Sequence, residues 1–230
     1  MTPLIDATEM YLRTLYELEE EGITPIRARL VERLGLSAPA VSETVTRLEQ
    51  EGMLHVKDDR TLALTQAGHR LAVAVMRKHR LAERLLTDVI GLSWEQVHTE
   101  ACRWEHVISD AVEDRLVAIL HAPERDPHGN PIPGVAPPEA AVAVRSLAAA
   151  GREGLRAQRG DAGAGVSAVI ERISERLQAD PEMMRFLVAH GLKPGSEVTV
   201  TAKGEELALG GGHAPVLVPP MVAEHLYVAV

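Results

Sequence analysis

The stretch RARLVERLGLSAPAVSETVTRLEQ, residues 27 to 50, decides the fold class of this chain. Its apolar residues recur every three or four positions on both sides of Gly35, which predicts two short amphipathic helices joined by a tight turn. Ser37 can cap the second helix, and Pro39 fits its first turn. Two helices around such a turn are typical of a helix-turn-helix.

The flanking residues extend this pattern into a winged helix-turn-helix. Residues 6 to 22 place apolar side chains on one stripe of a preceding helix. Residues 53 to 65 alternate on both sides of the turn KDDR, which predicts a two-stranded hairpin, the wing. Small helical domains that never touch DNA share this periodicity, so the pattern alone leaves such a domain open.

Charge bears on whether this region binds DNA. The whole chain has a formal net charge of -9, and residues 1 to 70 hold eight Lys or Arg residues against twelve acidic ones. The acids cluster in ELEEEG and LEQEG. Five arginines gather around the second helix of the motif and the wing: Arg27, Arg29, Arg33, Arg47 and Arg60. We expect a duplex to meet arginines first, and to bind weakly unless a cation or a second subunit assists.

Composition limits the class of protein. With 230 residues, of which 46% are hydrophobic, the chain can bury a substantial core. The single cysteine excludes a disulfide framework within the chain, and the sequence shows neither a basic leader nor a long apolar run. We therefore expect a cytoplasmic protein that does not associate with membranes. An aromatic content of 3% disfavours base stacking on aromatic side chains as its mode of binding nucleic acid.

Beyond the wing the sequence predicts three further regions. Two long apolar helices, over residues 65 to 90 and 93 to 120, are typical of a dimer interface. Prolines and glycines end regular structure at 121–134, and the Ala-, Gly- and Arg-rich stretch 135–165 is expected to be partly flexible. Residues 165–192 are predicted to form one or two short helices. The residues after them are predicted to form several short strands, consistent with a small barrel.

Residues of the kinds that bind metals line the second long helix. His98, Cys102, Glu105 and His106 recur there at helical spacing. A helix rises about 1.5 Å per residue, so the two histidines lie roughly 12 Å apart along its axis. Both cannot bind one ion, because metal–nitrogen bonds are about 2 Å long. The stripe therefore indicates two centres, one around Cys102, Glu105 and His106 and one around His98. Two residues of the preceding helix, at i and i+4, can complete the second centre: His79 and Glu83.

The residues leave other uses of this stripe open. A lone cysteine is often a small buried hydrophobe, and a Cys–His pair can also serve as nucleophile and base. The chain has no HExxH, no CxxC and no second cysteine that would fix zinc in a familiar enzyme arrangement. A metal-activated DNA reader and a metal-dependent enzyme or metal-buffering protein both remain.

Five longer motifs are more specific than these spacings: TEMYLRT (8–14), YELEEEG (16–22), VMRKHRLAERLLTD (75–88), EACRWEHV (100–107) and GNPIPG (129–134). They closely resemble the diphtheria toxin repressor and iron-dependent regulator family. The likeness covers nearly all of residues 1 to 134.

The resemblance implies a mainly α fold with small β parts in three domains. These are a winged helix-turn-helix at 1–73, a helical dimerisation and metal-binding domain at 74–140, and a small SH3-like β-barrel preceded by a flexible linker at 141–230. The implied function is a homodimeric repressor that binds double-stranded palindromic operator DNA, as one or two dimers per operator, when ferrous iron is abundant. It would shut off genes of iron uptake and homeostasis.

The same resemblance implies the ligands of two metal sites. One would use Met10, Cys102, Glu105 and His106, with the cysteine contributing its sulfur or its backbone carbonyl. The other would use five residues: His79, Glu83, His98, Glu175 and Gln178. A thioether favours Fe(II), Co(II) or Ni(II) over Mn(II), so Fe(II) is the expected cofactor, with Co(II), Ni(II), Mn(II) or Zn(II) as substitutes in vitro. A manganese-responsive repressor of the same family is the alternative.

Eight residues of the helix-turn-helix and the wing are expected to contact DNA: Arg27, Ala28, Ser37, Pro39, Ser42, Glu43, Arg47 and Arg60. Two positions depart from the family pattern. Close relatives have glutamine where this chain has Glu43, so operator preference is expected to differ. An anion pocket of the family is matched by Arg80 and Asn130, but Asp126 replaces its serine, so anion binding is less expected here.

Overall fold

The computed structural model describes residues 7–134, 144–157, 165–203, 206–211 and 215–229. Contacts divide the chain into two compact units, each with its own hydrophobic core. The first unit comprises Met1–Ile90, Thr99–Pro123 and Ile132–Ala136. The second comprises Gly91–His98, Glu124–Pro131 and Pro137–Val230.

The first unit begins with the predicted winged helix-turn-helix. Its elements are α1 (Ala7–Glu20), α2 (Arg27–Leu34), α3 (Ala38–Gln50), β1 (Leu54–Val56) and β2 (Leu62–Leu64). Gly35 ends α2 in the left-handed conformation, with φ of 65°. Ser37 caps α3 by accepting a hydrogen bond from the Ala40 backbone N–H. β1 and β2 pair antiparallel with Leu54 opposite Leu64.

A compact core holds α3 at a fixed angle to the rest of this region. Val41, Val45 and Leu48 on the inner face of α3 are fully buried, as is Leu30 of α2. They pack with α1 and the wing in a single cluster. Burying a side chain of this size stabilises by about 1.5 to 3 kcal/mol, so the outer face of α3 is held in place by its inner face.

The long helical region differs from the prediction in one respect. It contains α4 (Gln66–Leu85), a π-helical turn (Leu86–Ile90), α5 (Val97–Trp104) and α6 (Asp110–Ile119). A single helix over 93–120 was wrong, because the chain turns after Trp104 and restarts at Ser109, which caps α6 by accepting from the Val112 N–H. Glu105 and His106 therefore lie in a turn between α5 and α6.

The second unit is built on an antiparallel sheet. Its elements are β3 (Val144–Ser146), α7 (Leu147–Ala157), β4 (Val166–Ile173), α8 (Glu175–Gln178), α9 (Pro181–Ala189), β5 (Glu197–Lys203), β6 (Glu206–Gly210), β7 (Val216–Val218), α10 (Pro220–His225) and β8 (Leu226–Ala229). The described strands follow the order β3-β8-β4-β5-β6-β7. This arrangement confirms the predicted small β domain at the end of the chain.

One prediction for the second unit was wrong in detail. Residues 166–173, expected in a helical region, form β4, because alternate side chains such as Ala168 and Ile170 turn into the core while the strand pairs with β5 and β8. The stretch 135–165, expected to be partly flexible, contains β3 and the whole of α7. The remaining residues of that stretch, except Gly165, lie outside the described residues. Among the described helices, none combines the length and apolar character needed to span a bilayer.

Candidate metal centre and DNA interface

A cluster of metal-binding side chains in the first unit centres on the Glu105 carboxylate. This side chain is 1% exposed. His79 Nδ1 lies 2.6 Å from Glu105 Oε2, and His106 Nε2 lies 3.2 Å from Oε1. The other nitrogen of His79 lies 3.0 Å from Glu83 Oε1. The cluster brings two imidazoles and two carboxylates together in the interior.

An arginine also joins this cluster. Arg13 of α1 donates through Nη1 to both oxygens of Glu105 at 2.7 Å. The same nitrogen lies 3.4 Å from Cys102 Sγ, and Nε donates to Glu17 at 2.8 Å. Arg13 therefore joins α1 to the turn after α5 through the carboxylate expected to bind metal.

Arginine and histidine keep Glu105 ionised. Burial acts to raise the pKa of Glu105, but Arg13, His106 and His79 outweigh it and hold that pKa well below its usual range. A carboxylate that stays negative in the interior needs cationic partners, and it is a strong ligand for a divalent metal.

The two histidines respond to the same charges. Burial and Arg13 act to lower the pKa of His79, but Glu83 and its hydrogen-bond partners raise it well above its usual value. The hydrogen bond with Glu105 raises the pKa of His106, against an opposing effect of burial. Both rings lie beside carboxylates, so they pair with them as cations or present nitrogen to a metal.

Two members of the cluster were missed by sequence reasoning. Glu9 Oε2 lies 2.5 Å from His106 Nδ1, which leaves Nε2 of that ring facing Glu105. Arg13 is the other. A signal was present, because Met10, Arg13 and Glu17 recur at helical spacing on one side of α1. Met10 is half-buried, and its backbone carbonyl accepts a hydrogen bond from Thr14.

The structure places the two expected ligand sets closer than the sequence indicated. His79, assigned to the second set, contacts Glu105 of the first, and its ring nitrogen lies within 4.8 Å of Cys102 Sγ. The first unit therefore holds Cys102, Glu105, His106 and His79 in one group, with Glu83 beside it. His98 is buried and belongs to the second unit, so a site combining it with His79 and Glu83 stays a prediction.

The second unit holds the remaining expected ligands. Glu175 and Gln178 lie on α8 and are 3% and 1% exposed. Gln178 Nε2 donates to the Ile173 carbonyl at 2.7 Å, and its Oε1 is buried without a hydrogen-bond partner among the described residues. A buried amide oxygen in that position is costly unless something binds it, which fits a ligand of a divalent metal.

The residues that match the family's anion pocket have partners within their own units. Arg80 donates to both carboxylate oxygens of Glu20. Asp126 accepts from the backbone N–H groups of His128 and Asn130 and from the Asn130 amide. These contacts give each residue a structural role.

Together the donor set fits a divalent metal of intermediate hardness. Thiol, imidazole and carboxylate groups meet around Glu105, and an amide oxygen without a described partner is buried in the second unit. Nitrogen, sulfur and oxygen ligands in combination suit Fe(II), Co(II), Ni(II) or Zn(II) better than Mg(II) or Ca(II).

The outer face of α3 presents the residues expected to read DNA. Ser37, Pro39, Ser42, Glu43 and Arg47 are exposed. From the rest of the motif, Ala28 and Arg60 are exposed and Arg27 is half-buried. Their contacts with DNA stay a prediction.

The expected group of five arginines is smaller than the sequence indicated. Arg33 forms a two-pronged ion pair with Glu21 in which the side chains are 7% and 1% exposed, so it does not face solvent. Arg47 pairs with Glu51 at the surface, at 2.9 Å, and Arg29 pairs with Glu32. Exposed pairs of this kind are weak, so phosphate can replace the carboxylate at Arg47 and Arg29.

Family models match almost the whole chain. Residues 3–62 match the iron dependent repressor, N-terminal DNA binding domain. Residues 65–134 match the iron dependent repressor, metal binding and dimerisation domain. Residues 160–230 match the FeoA domain.

Whole proteins with this organisation are also similar in sequence and structure. The iron-dependent repressor IdeR of Mycobacterium tuberculosis is 49% identical over 229 residues, which cover 97% of this chain and 96% of that protein. The diphtheria toxin repressor of Corynebacterium glutamicum is 52% identical over 200 residues, covering 87% and 86%. A solved manganese-dependent transcriptional repressor in complex with manganese is 30% identical, with a TM-score of 0.78 over 97% of this chain and 99% of that one. On this sequence identity, shared along nearly the full length, the chain belongs to the iron-dependent repressor family.

Proposed function

We propose that this chain is an iron(II)-activated transcriptional repressor that binds operator DNA as a homodimer and controls genes of iron uptake and homeostasis. The observation that carries the proposal is the cluster around Glu105, which joins α1 of the DNA-reading region to the turn after α5. A group bound there can change how the reading region is held. The relatives are repressors by name, which argues against the metal-dependent enzyme or metal buffer that the residues alone left open.

Iron is favoured over manganese as the signal. The relatives named for iron or for diphtheria toxin repression are 49% and 52% identical, whereas the manganese-dependent structure is 30% identical. Met10 adds support, because a thioether suits Fe(II), Co(II) or Ni(II) better than Mn(II). Zn(II), Mn(II), Co(II) and Ni(II) would serve as substitutes in vitro.

We propose the two ligand sets that the family resemblance implies. The first uses Met10, Cys102, Glu105 and His106, and the second uses His79, Glu83, His98, Glu175 and Gln178. A bound divalent ion would supply two positive charges to carboxylates that arginine and histidine otherwise neutralise. In the first set, Glu9 would orient His106 by holding its other ring nitrogen.

A dimer is supported by apolar surface in the first unit. Val89, Ile90, Val112 and Ile119 are 60%, 54%, 48% and 57% exposed. Burying such side chains against a second copy is favourable. In the resulting dimer a two-fold axis would relate the two α3 helices. That symmetry matches a palindromic operator, which one or two dimers would bind. The proposed site of action is the cytoplasm.

The proposed domain limits are those read from the sequence: 1–73 for DNA binding, 74–140 for dimerisation and metal binding, and 141–230 for the SH3-like domain and its linker. The matched ranges 3–62, 65–134 and 160–230 support this order.

The test is binding of fluorescently labelled palindromic operator DNA under anaerobic, reducing conditions, with no metal, with Fe(II) and with Mn(II). We expect tight binding with Fe(II) at concentrations where Mn(II) gives little. Equal binding without metal would refute activation, and a preference for Mn(II) would refute iron as the signal.

Removing a phosphate-contacting arginine is expected to flatten the salt dependence of operator binding. Arg27→Ala and Arg60→Ala should each lower the slope of log affinity against log salt by about 2, because the dimer loses one phosphate contact in each subunit and each lost contact releases about one counterion fewer. Arg185→Ala, at an exposed position of α9, is the control and should leave the slope unchanged. A slope equal to wild type in both test variants would remove these residues from the interface.

Removing the two ligands on α8 is expected to reduce metal content without abolishing repression. A Glu175→Ala/Gln178→Ala protein should bind about one Fe(II) fewer per chain while keeping operator affinity within about tenfold of wild type. Metal analysis after desalting and operator titration measure the two effects. Glu182→Ala, exposed on α9, is the matched control. Loss of operator binding as complete as that of a His106→Ala protein would contradict the division into two sets.

A further inference from the structure

The Glu105 carboxylate has donors on both of its oxygens. Oε1 accepts from Arg13 at 2.7 Å and lies 3.2 Å from His106 Nε2. Oε2 accepts from Arg13 at 2.7 Å and lies 2.6 Å from His79 Nδ1. A carboxylate offers about four acceptor positions, so a bond from Glu105 to another cation must replace one of these contacts.

The three donors differ in what they can do beside a metal ion. Imidazole nitrogens of His79 and His106 can themselves bind a metal. The guanidinium of Arg13 has only N–H donors and keeps its full charge, so it cannot become a ligand. Two cations that share one buried carboxylate repel each other strongly. Arg13 is therefore the partner that cannot remain on Glu105 together with a divalent ion.

Arg13 has a second carboxylate within reach. Its Nε donates to Glu17 at 2.8 Å, and both residues lie on α1 with side chains that are 10% exposed. If the guanidinium of Arg13 left Glu105, it would still be paired with Glu17, so no buried charge would be left without a partner. The exchange requires rotation of one side chain and no rearrangement of the helix.

Resting on the proposed metal site, we propose that Arg13 is an internal cation that competes with the activating metal for Glu105. The competition sets the metal concentration at which the protein responds, because every metal-binding event must displace the guanidinium. Arg13 thus acts as a positioning residue that lowers metal affinity.

The test is the dissociation constant for Fe(II) and Co(II), measured by competition with a chelating dye under anaerobic conditions. Arg13→Gln removes the charge and is expected to tighten binding by about tenfold or more, within the usual range of coupling between two sites. Arg33→Gln is the matched control, because Arg33 is another buried arginine with a two-pronged carboxylate partner, Glu21, outside the cluster. Its metal affinity should equal that of wild type.

A conservative variant covers the case in which Arg13→Gln does not fold. Arg13→Lys keeps a cation but has one nitrogen in place of the two that bond Glu105 and Glu17 at once, so its metal affinity should lie between those of wild type and Arg13→Gln. Thermal unfolding of the metal-free proteins verifies that each variant is folded.

The outcomes separate this proposal from the metal site on which it rests. If Arg13→Gln binds metal as weakly as wild type, or more weakly, while Glu105→Gln loses the metal ion of the first ligand set, competition is refuted and the site stands. If Glu105→Gln binds metal as well as wild type does, the site and the competition both fall.

Discussion

Replacing Glu105 by alanine is expected to lower iron-dependent operator binding by at least about 100-fold, the upper end of the effect of residues that only support a metal ligand. The reason is geometric. Among the described residues, Glu105 is the one whose carboxylate contacts all three of Arg13, His79 and His106. Without it, the imidazoles lose the anionic group that makes their arrangement attractive to a divalent ion.

The same change should destabilise the protein, because it removes a partner from the buried guanidinium of Arg13. Breaking one side of a buried ion pair costs about 3 to 5 kcal/mol, and the remaining bond to Glu17 reduces that cost. Operator binding with Fe(II) and thermal unfolding without metal measure the two effects separately. Glu100→Ala, on α5 and outside the cluster, where Glu100 pairs with Arg103 and accepts from Trp104, is the control and should change neither. Iron-dependent binding by the Glu105→Ala protein at wild-type strength would show that the cluster is not the switch.

Replacing Gly129 by alanine is expected to destabilise the second unit by about 3 kcal/mol. Gly129 has φ of 88°, which an L side chain adopts only with strain. A Cβ there would also lie 2.0 Å from the Glu171 carbonyl oxygen and 3.1 Å from the Arg172 Cα. Both neighbours are backbone of β4, so the loop itself must move away from the strand.

The functional consequence follows from what that loop carries. Asn130 donates to the Ile173 carbonyl, the same oxygen that accepts from Gln178, so the loop and α8 are held together at one point. A displaced loop would loosen Gln178, and metal binding that depends on α8 should weaken with it.

Gly195 provides a matched control for this prediction, and the fluorescence of Trp94 provides the measurement. Gly195 has φ of 85°, but a Cβ there meets no described atom within 4 Å, so Gly195→Ala should cost only about 1 kcal/mol. Trp94 donates to the Pro127 carbonyl and stacks on His128, so its fluorescence reports on the loop. Urea unfolding followed by Trp94 in a Trp104→Phe background measures both variants. Equal losses for the two glycines would refute the close approach to β4.

Local patterns predicted the DNA-reading region well. Three local features identify it: the capping Ser37, Gly35 in the turn, and the alternation through the wing. Each acts over a few residues, so it can be recognised from the sequence alone. The apolar residues that recur after Gly35 include Val41, Val45 and Leu48, and all three are fully buried, as their helical spacing indicates.

Contacts between distant residues explain what the sequence did not reveal. The run AVIERI in β4 suits a helix or a strand, and pairing with β5 and β8 decides between them. The helical period continues through residues 105–109, and only the cap at Ser109 shows that the chain turns there. The metal-binding residue types in EACRWEH were legible, but Arg13 and Glu9 join them across 92 and 97 positions of sequence, which no local period encodes.

The central claim is that divalent metal at the Glu105 cluster controls DNA binding. Its most direct test is one anaerobic titration of the dimer with Fe(II), in which bound metal and operator affinity are followed together for wild type and Glu105→Ala. We predict that wild-type operator affinity rises by about 100-fold as the cluster fills, whereas the variant stays at its metal-free level. Full metal occupancy in wild type without any change in operator affinity would contradict the account.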